Sequence, residues 1–135
     1  MAGQVESLLG TIDLALLQLR EQWLADPAGF DAAAQRILAT LPDGAVSHVS
    51  VSDERDVTVY DSLGSGRQVD VGDREHIRAQ DGRTDTLHVG PPVRSRLGDG
   101  WTFVVNRVIL RDGRRTGVVN VSVSSSYVAE KLGRL

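Results

Sequence analysis

The stretch Asp73-Arg74-Glu75-His76-Ile77-Arg78 places two arginines, a histidine and two carboxylates on one short length of chain. Arginine offers paired N–H donors that match a carboxylate or phosphate, and histidine gains charge near neutral pH, so the group could hold an anion. Asp73 and Glu75 could equally pair with the arginines and make a structural ion network, which leaves two readings of the same residues. The arginines concentrate between Arg67 and Arg115, and Lys131 is the single lysine.

Other chemistries find less support. The 135 residues contain no cysteine, which removes disulfides, thiolate catalysis and cysteine-ligated zinc. No serine sits in a nucleophile elbow and no glycine-rich phosphate loop leads into a helix, so no enzyme is expected and no cofactor is implied. His48, His76 and His88 lack the close spacing of a compact metal site, and no metal is expected. A net charge of -3 and a pI near 5.5, without a basic stripe, argue against nucleic acid as a partner.

The elements that must position the charged stretch can be read from periodicity. Val5, Leu8, Leu9, Ile12, Leu16, Leu19 and Trp23 recur at three- and four-residue intervals and predict a long amphipathic helix. Leu14, Ala15 and Leu17 widen its apolar stripe, as either a plain core helix or a helix that also packs on a second copy of itself. Asp26-Pro27 ends it, and a second helix follows through Phe30, Ala34, Ile37, Leu38 and Leu41 to Pro42-Asp43-Gly44. From Val46 the pattern alternates: His48 and Ser50 share one face of a strand, Val49 and Val51 the other, and residues 57–62 form its hairpin partner. Residues 86–90 read as a short strand ended by Pro91-Pro92. Valine-rich runs on either side of Asp112-Gly113 predict a long antiparallel hairpin, and Ser124 to Ser126 offer caps for a terminal helix. The fold class is α+β: one 135-residue domain with a central antiparallel sheet, a long N-terminal helix, a helical loop after the first hairpin and a short C-terminal helix.

Several motifs then fall into a recognisable order: Asp73-Arg74-Glu75-His76-Ile77-Arg78, Leu87-His88-Val89-Gly90-Pro91-Pro92-Val93, Gly100-Trp101-Thr102-Phe103-Val104-Val105-Asn106-Arg107, Asp112-Gly113, Gly117-Val118-Val119 and Val123-Ser124-Ser125-Ser126-Tyr127. In this order the sequence resembles the PDC or Cache family of extracytoplasmic sensor domains, in its single-module form, over residues 46–132 and the leading helix. The resemblance implies a PAS-like core over residues 46–123, flanked by helices in 4–41 and 124–135 whose far ends would continue into membrane spans. It places the chain in the periplasmic portion of an inner-membrane protein, such as a histidine kinase, diguanylate cyclase or chemoreceptor with a cytoplasmic output module.

By the same resemblance a small ligand binds on the concave face of the sheet, under the charged stretch. Arg74, His76 and Arg78 become ligand candidates, with Trp101 and Arg107 on the later strands and Tyr60 at the end of the first hairpin. The amino-acid-binding branch of the family holds the ligand amine with an aspartate on the last strand. The corresponding residues here are Val121-Ser122-Val123, which turns the expectation toward a small organic acid. The expected function is signal input by that ligand, passed on through the terminal helices of a homodimer joined at the first helix. The alternative is a ligand-free dimerisation or interaction module with a pocket filled by side chains.

Overall fold

A computed structural model describes residues 2–78, 85–94 and 100–133, the side chains of Ala2, Glu75 and His76 lying outside that description. The first helix, α1 (Ala2–Ala25), is set by its stripe: Leu8, Ile12, Leu16 and Leu19 are buried at helical spacing, whereas Leu14 on another face is 65% exposed. Pro27 opens a short 3-10 helix over Pro27–Gly29, where its missing N–H costs no hydrogen bond, and α2 (Phe30–Leu38) continues from it. Phe30 is fully buried and meets Trp23 and Tyr60 edge-on, with ring centroids 5.1 and 4.8 Å away.

Five strands form one antiparallel sheet: β1 (Val46–Asp53), β2 (Thr58–Asp61), β3 (His88–Arg94), β4 (Trp101–Arg111) and β5 (Arg114–Ser124), in the order β2-β1-β5-β4-β3. A single helical turn, α3 (Glu75–Arg78), lies between β2 and β3, and α4 (Ser125–Leu132) closes the described chain. Asp112 and Gly113 both take positive φ, at 54° and 77°, as a tight turn between β4 and β5 requires. Ser124 caps α4 by accepting from the Tyr127 amide at 3.2 Å. Where β1 and β5 pair, a side chain on Gly117 would run into the Ser52 carbonyl oxygen, so only glycine lets the two backbones approach.

The α+β class, the antiparallel sheet, the long first helix and the short last one agree with the sequence reading. Two elements differ: α2 stops at Leu38, short of Leu41, and the strand before the last hairpin is longer. The run expected to stop at Pro91-Pro92 continues to Arg94, with a register shift between Val89 and Pro92 and pairing resumed at Pro92 opposite Phe103. β3 is an edge strand bonded to β4 alone, so a proline there can turn its missing donor away from the ladder.

Strand alternation sorts the sheet into two faces. Val49, Val51, Phe103, Val105, Ile109, Val119, Val121 and Val123 meet the buried residues of α1 and α2 in one apolar core. Burial of each such side chain contributes about 1.5 to 3 kcal/mol. The intervening residues, among them His48, Ser50, Ser52, Thr102, Asn106, Asn120 and Ser122, point to the opposite, inner face and are also buried. There the charged stretch packs down through a second, smaller apolar group of Val71, Ile77 and Val118.

Candidate functional site

The inner face is built from hydrogen-bonding groups on three adjacent strands. Asn106 of β4 and Asn120 of β5 are paired across the sheet, and the Asn106 amide donates to the Asn120 side-chain oxygen at 2.9 Å. Their neighbours on the same face are Ser122 and, on β1, His48; the Ser122 hydroxyl and His48 Nε2 are 3.2 Å apart. His48 Nδ1 meets the Ser47 hydroxyl at 2.9 Å, so both ring nitrogens are engaged. Burial holds the His48 imidazole below its ordinary pKa, and the negative charge of Asp61 partly opposes that shift. Asp61, at the end of β2, accepts from the Ser65 amide and hydroxyl at 3.2 and 2.6 Å. Ser52 is 1% exposed and its hydroxyl has no hydrogen-bond partner among the described residues. A buried hydroxyl in that state is a donor and acceptor open to a bound molecule or a water.

The charged stretch is fastened over this face by its backbone. The Thr58 amide donates to the Val69 carbonyl at 2.8 Å and the Val71 amide to the Asp56 carbonyl at 2.9 Å, which ties its start to the β1–β2 hairpin. Further on, the Ile77 and Arg78 amides bond back to the Arg74 carbonyl, and Ile77 is fully buried. Beside the start of the stretch, a cleft of about 680 Å³ is lined by Arg55, Asp56, Asp70, Gly72 and Asp73, an acidic rather than an anion-binding wall. No group of three or more metal-binding side chains occurs among the described residues.

The residues singled out from the sequence separate into two places. Arg74 donates to the Arg94 carbonyl at 2.8 Å, and Arg94 stands opposite Trp101 across β3 and β4, so these three gather at one end of the sheet. Trp101 is 56% exposed there. Arg78 is exposed at the end of α3, and the His76 side chain is outside the described residues. Tyr60 and Arg107 lie on the face toward the helices, which by strand alternation is also the face of Trp101. The Tyr60 hydroxyl donates to Asp31 of α2 at 2.6 Å; burial first, then the Asp31 carboxylate, push its pKa up. Arg107 donates through Nε and Nη2 to the two oxygens of Asp13 on α1, at 2.6 and 3.1 Å. His48, Ser52, Asn106, Asn120 and Ser122 were not among the sequence candidates. The alternation around His48 and Ser50 was a signal for them, but only the strand register brings Asn106 to Asn120.

Known structures share this architecture. The extracellular domain of rpHK1S-Z16, assigned as a histidine kinase, is 25% identical over 98% of this chain and 59% of its own, with a TM-score of 0.79. The fold is that of a PDC/Cache sensor domain. A domain of a sensory box/GGDEF family protein from Vibrio parahaemolyticus has the same fold at 14% identity and a TM-score of 0.68, over 96% of this chain and 57% of that one. So has the ligand-binding domain of Mlp24, solved with asparagine, at 16% identity and a TM-score of 0.65 over 95% and 54%. The chain thus spans between half and three fifths of the length of these structures. No family model matches the sequence and no curated protein does, so the likeness lies in the structure. No described helix is long and apolar enough to cross a membrane.

Proposed function

We propose that this domain is the extracytoplasmic signal-input module of a bacterial transmembrane signalling protein and binds a small carboxylate-bearing molecule on the inner face of its sheet. The observation that carries the reading is the buried polar group of His48, Ser50, Ser52, Asn106, Asn120 and Ser122 on the sheet face against which Val71 and Ile77 pack. A sheet face meant only to be filled would be apolar, because burying hydroxyls and amides opposes folding unless each finds a partner. Arg74, His76 and Arg78 would stand at the edge of that surface as the cationic side for an anion. The ligand-binding domain of Mlp24 was solved with asparagine and that of Tlp3 of Campylobacter jejuni with L-valine. A carboxylate is common to both ligands and to organic acids. Residues 46–123 would form the sensing core. The helices in 4–41 and 124–135 would carry the change outward, which requires the ligand to bind one arrangement of the domain better than another.

A thermal-shift panel of dicarboxylates, amino acids and neutral sugars tests this directly. The carboxylates raise the melting temperature and the sugars do not, and Asn120→Leu removes the shift while the domain still folds. Equal response to every compound, or none to any, would overturn the ligand. The second reading is a homodimerisation module without a ligand. It draws on Leu14, which is 65% exposed, and on a groove of about 440 Å³ between α1 and α2 in which Leu14, Leu17, Ala33 and Ile37 are flanked by Gln18, Glu21, Gln22 and Arg36. Light scattering that reads a dimer with no ligand in the panel bound would favour it.

A further inference from the structure

One carboxylate on the inner face lacks what other acids of the fold have. Arg107 holds Asp13 with a forked pair of hydrogen bonds, Asp85 accepts from Arg20 and Arg107 at 2.8 and 3.0 Å, and Asp56 accepts from Arg115 at 2.8 Å. Those three side chains are partly exposed. Asp61 is 6% exposed, the one buried acid among the described residues, and its hydrogen bonds come from the neutral Ser65. No arginine, lysine or histidine among the described residues forms an ion pair with it. Burying a carboxylate opposes folding unless a positive partner compensates it. His48 lies close enough to feel the Asp61 charge, but burial keeps the imidazole below its ordinary pKa and therefore neutral at pH 7.

Strand register supplies the surroundings of this carboxylate. Asp61 of β2 stands opposite Ser50 of β1, Ser50 opposite Asn120 of β5, Asn120 opposite Asn106 of β4, and Asn106 opposite His88 of β3. Residues directly opposite each other share a face, so these five make one polar row across the inner face. The Asn106 amide is engaged with the Asn120 oxygen at 2.9 Å. Nearer to Asp61, neither the Asn120 side-chain nitrogen nor the Ser50 hydroxyl makes a hydrogen bond among the described residues, although Ser50 is 8% exposed. The Ser52 hydroxyl, two residues along β1 on the same face, is also without a partner among them. A buried carboxylate beside an open hydroxyl suits a group that brings positive charge and several N–H donors, which is a protonated amine. Arg74, bonded to Arg94 of β3, belongs to the opposite border of the sheet, four strand spacings or about 19 Å from β2, so a small molecule at Asp61 does not touch it.

We propose that Asp61, Ser50 and Asn120 form a seat for the protonated amine of a small amino compound, at the β2 side of the inner face and apart from the arginines. Asp61 and Ser50 accept from the ammonium group, and the Asn120 amide donates to an oxygen next to it on the same molecule. Its use as a signal rests on the function proposed above, whereas occupancy of the seat is measured without any carboxylate ligand. Two-dimensional amide NMR is recorded on the whole chain with increasing ethanolamine, and with ethylene glycol and acetate as neutral and anionic controls. Ethanolamine moves the Ser50, Asp61 and Ser65 backbone amides and the Asn120 side-chain NH2 to saturation, and neither control does. Asp61→Asn, which removes the charge and keeps the shape, weakens ethanolamine about tenfold or more. Ser50→Val leaves the carboxylate and its Ser65 bonds in place but fills the space beside them; it abolishes binding and serves as the second variant if Asp61→Asn does not fold. Asp43→Asn, at an exposed acid before β1, leaves the affinity unchanged and so excludes a general attraction of cations to a chain of net charge -3. The proposal is overturned if ethanolamine moves none of these signals, if ethylene glycol moves them equally, or if Asp61→Asn and Ser50→Val bind no more weakly than Asp43→Asn. A failed carboxylate panel would remove the acid ligand and leave this seat standing.

Discussion

The two faces of the sheet are about equally buried and are put together in opposite ways. The face toward α1 and α2 is a run of valines, isoleucine and phenylalanine closed by leucines at helical spacing. The inner face, on the same strands and one residue out of step, mixes asparagines, serines, threonine and histidine with Val104, Val108 and Val118. The first face gains stability from area and tolerates no voids; the second depends on each group keeping a particular partner. Burial alone thus does not separate scaffold from site in this domain, whereas the chemistry of what is buried does.

Three measurements press on that contrast. The largest effect is expected on the helix side: Phe30→Ala removes a fully buried ring that bridges Trp23 and Tyr60, and should cost about 3 to 5 kcal/mol in urea unfolding. If the loss were under about 1 kcal/mol, the helix face would not be the stabilising one.

On the inner face, Asn120→Ala should cost about 1 to 3 kcal/mol, because it leaves the buried Asn106 amide without its acceptor. The double variant Asn106→Leu/Asn120→Leu should recover most of that loss, since replacing both partners removes the unsatisfied group. A double variant that is additive, with both losses summed, would show that the pair is not the unit that matters.

The smallest effect is one of pH. His48 has a folded pKa below the unfolded 6.5, so the unfolded chain takes up the proton more readily. Stability should therefore fall as pH drops below 6.5, while Asp85, with a pKa lowered from 3.8, stays ionised and does not contribute in that window. His48→Gln should flatten the slope between about pH 6.5 and 5. An unchanged slope would mean that the imidazole is not held neutral by the inner face.

Much of the helix side is legible in the sequence. The spacing of Leu8, Ile12, Leu16 and Leu19 marks α1, and Asp112-Gly113 between valine runs marks the β4–β5 turn. The inner face is harder to read, because a strand shows its alternation without saying which set of side chains looks at the helices. A shift of one residue exchanges the sets, and this is why Tyr60 and Arg107 could be placed beside Arg74 when read from the sequence. Asn106 and Asn120 look unremarkable until the register sets them opposite each other, and Asp85 has no local signal, since Arg20 and Arg107 reach it from far along the chain. Pro91 and Pro92 were read as the end of a strand because the rule that excludes them from ladders does not say which edge a strand occupies.

Those two prolines also bear on how copies of the domain can meet. A row of unpaired amides on an outer strand is a template on which another chain can add itself. β3 carries no amide hydrogen at two successive positions and is interrupted by a bulge, while β2 at the opposite border has only the four residues Thr58–Asp61. Among the described strands, neither border offers a long, regular ladder for another chain to extend.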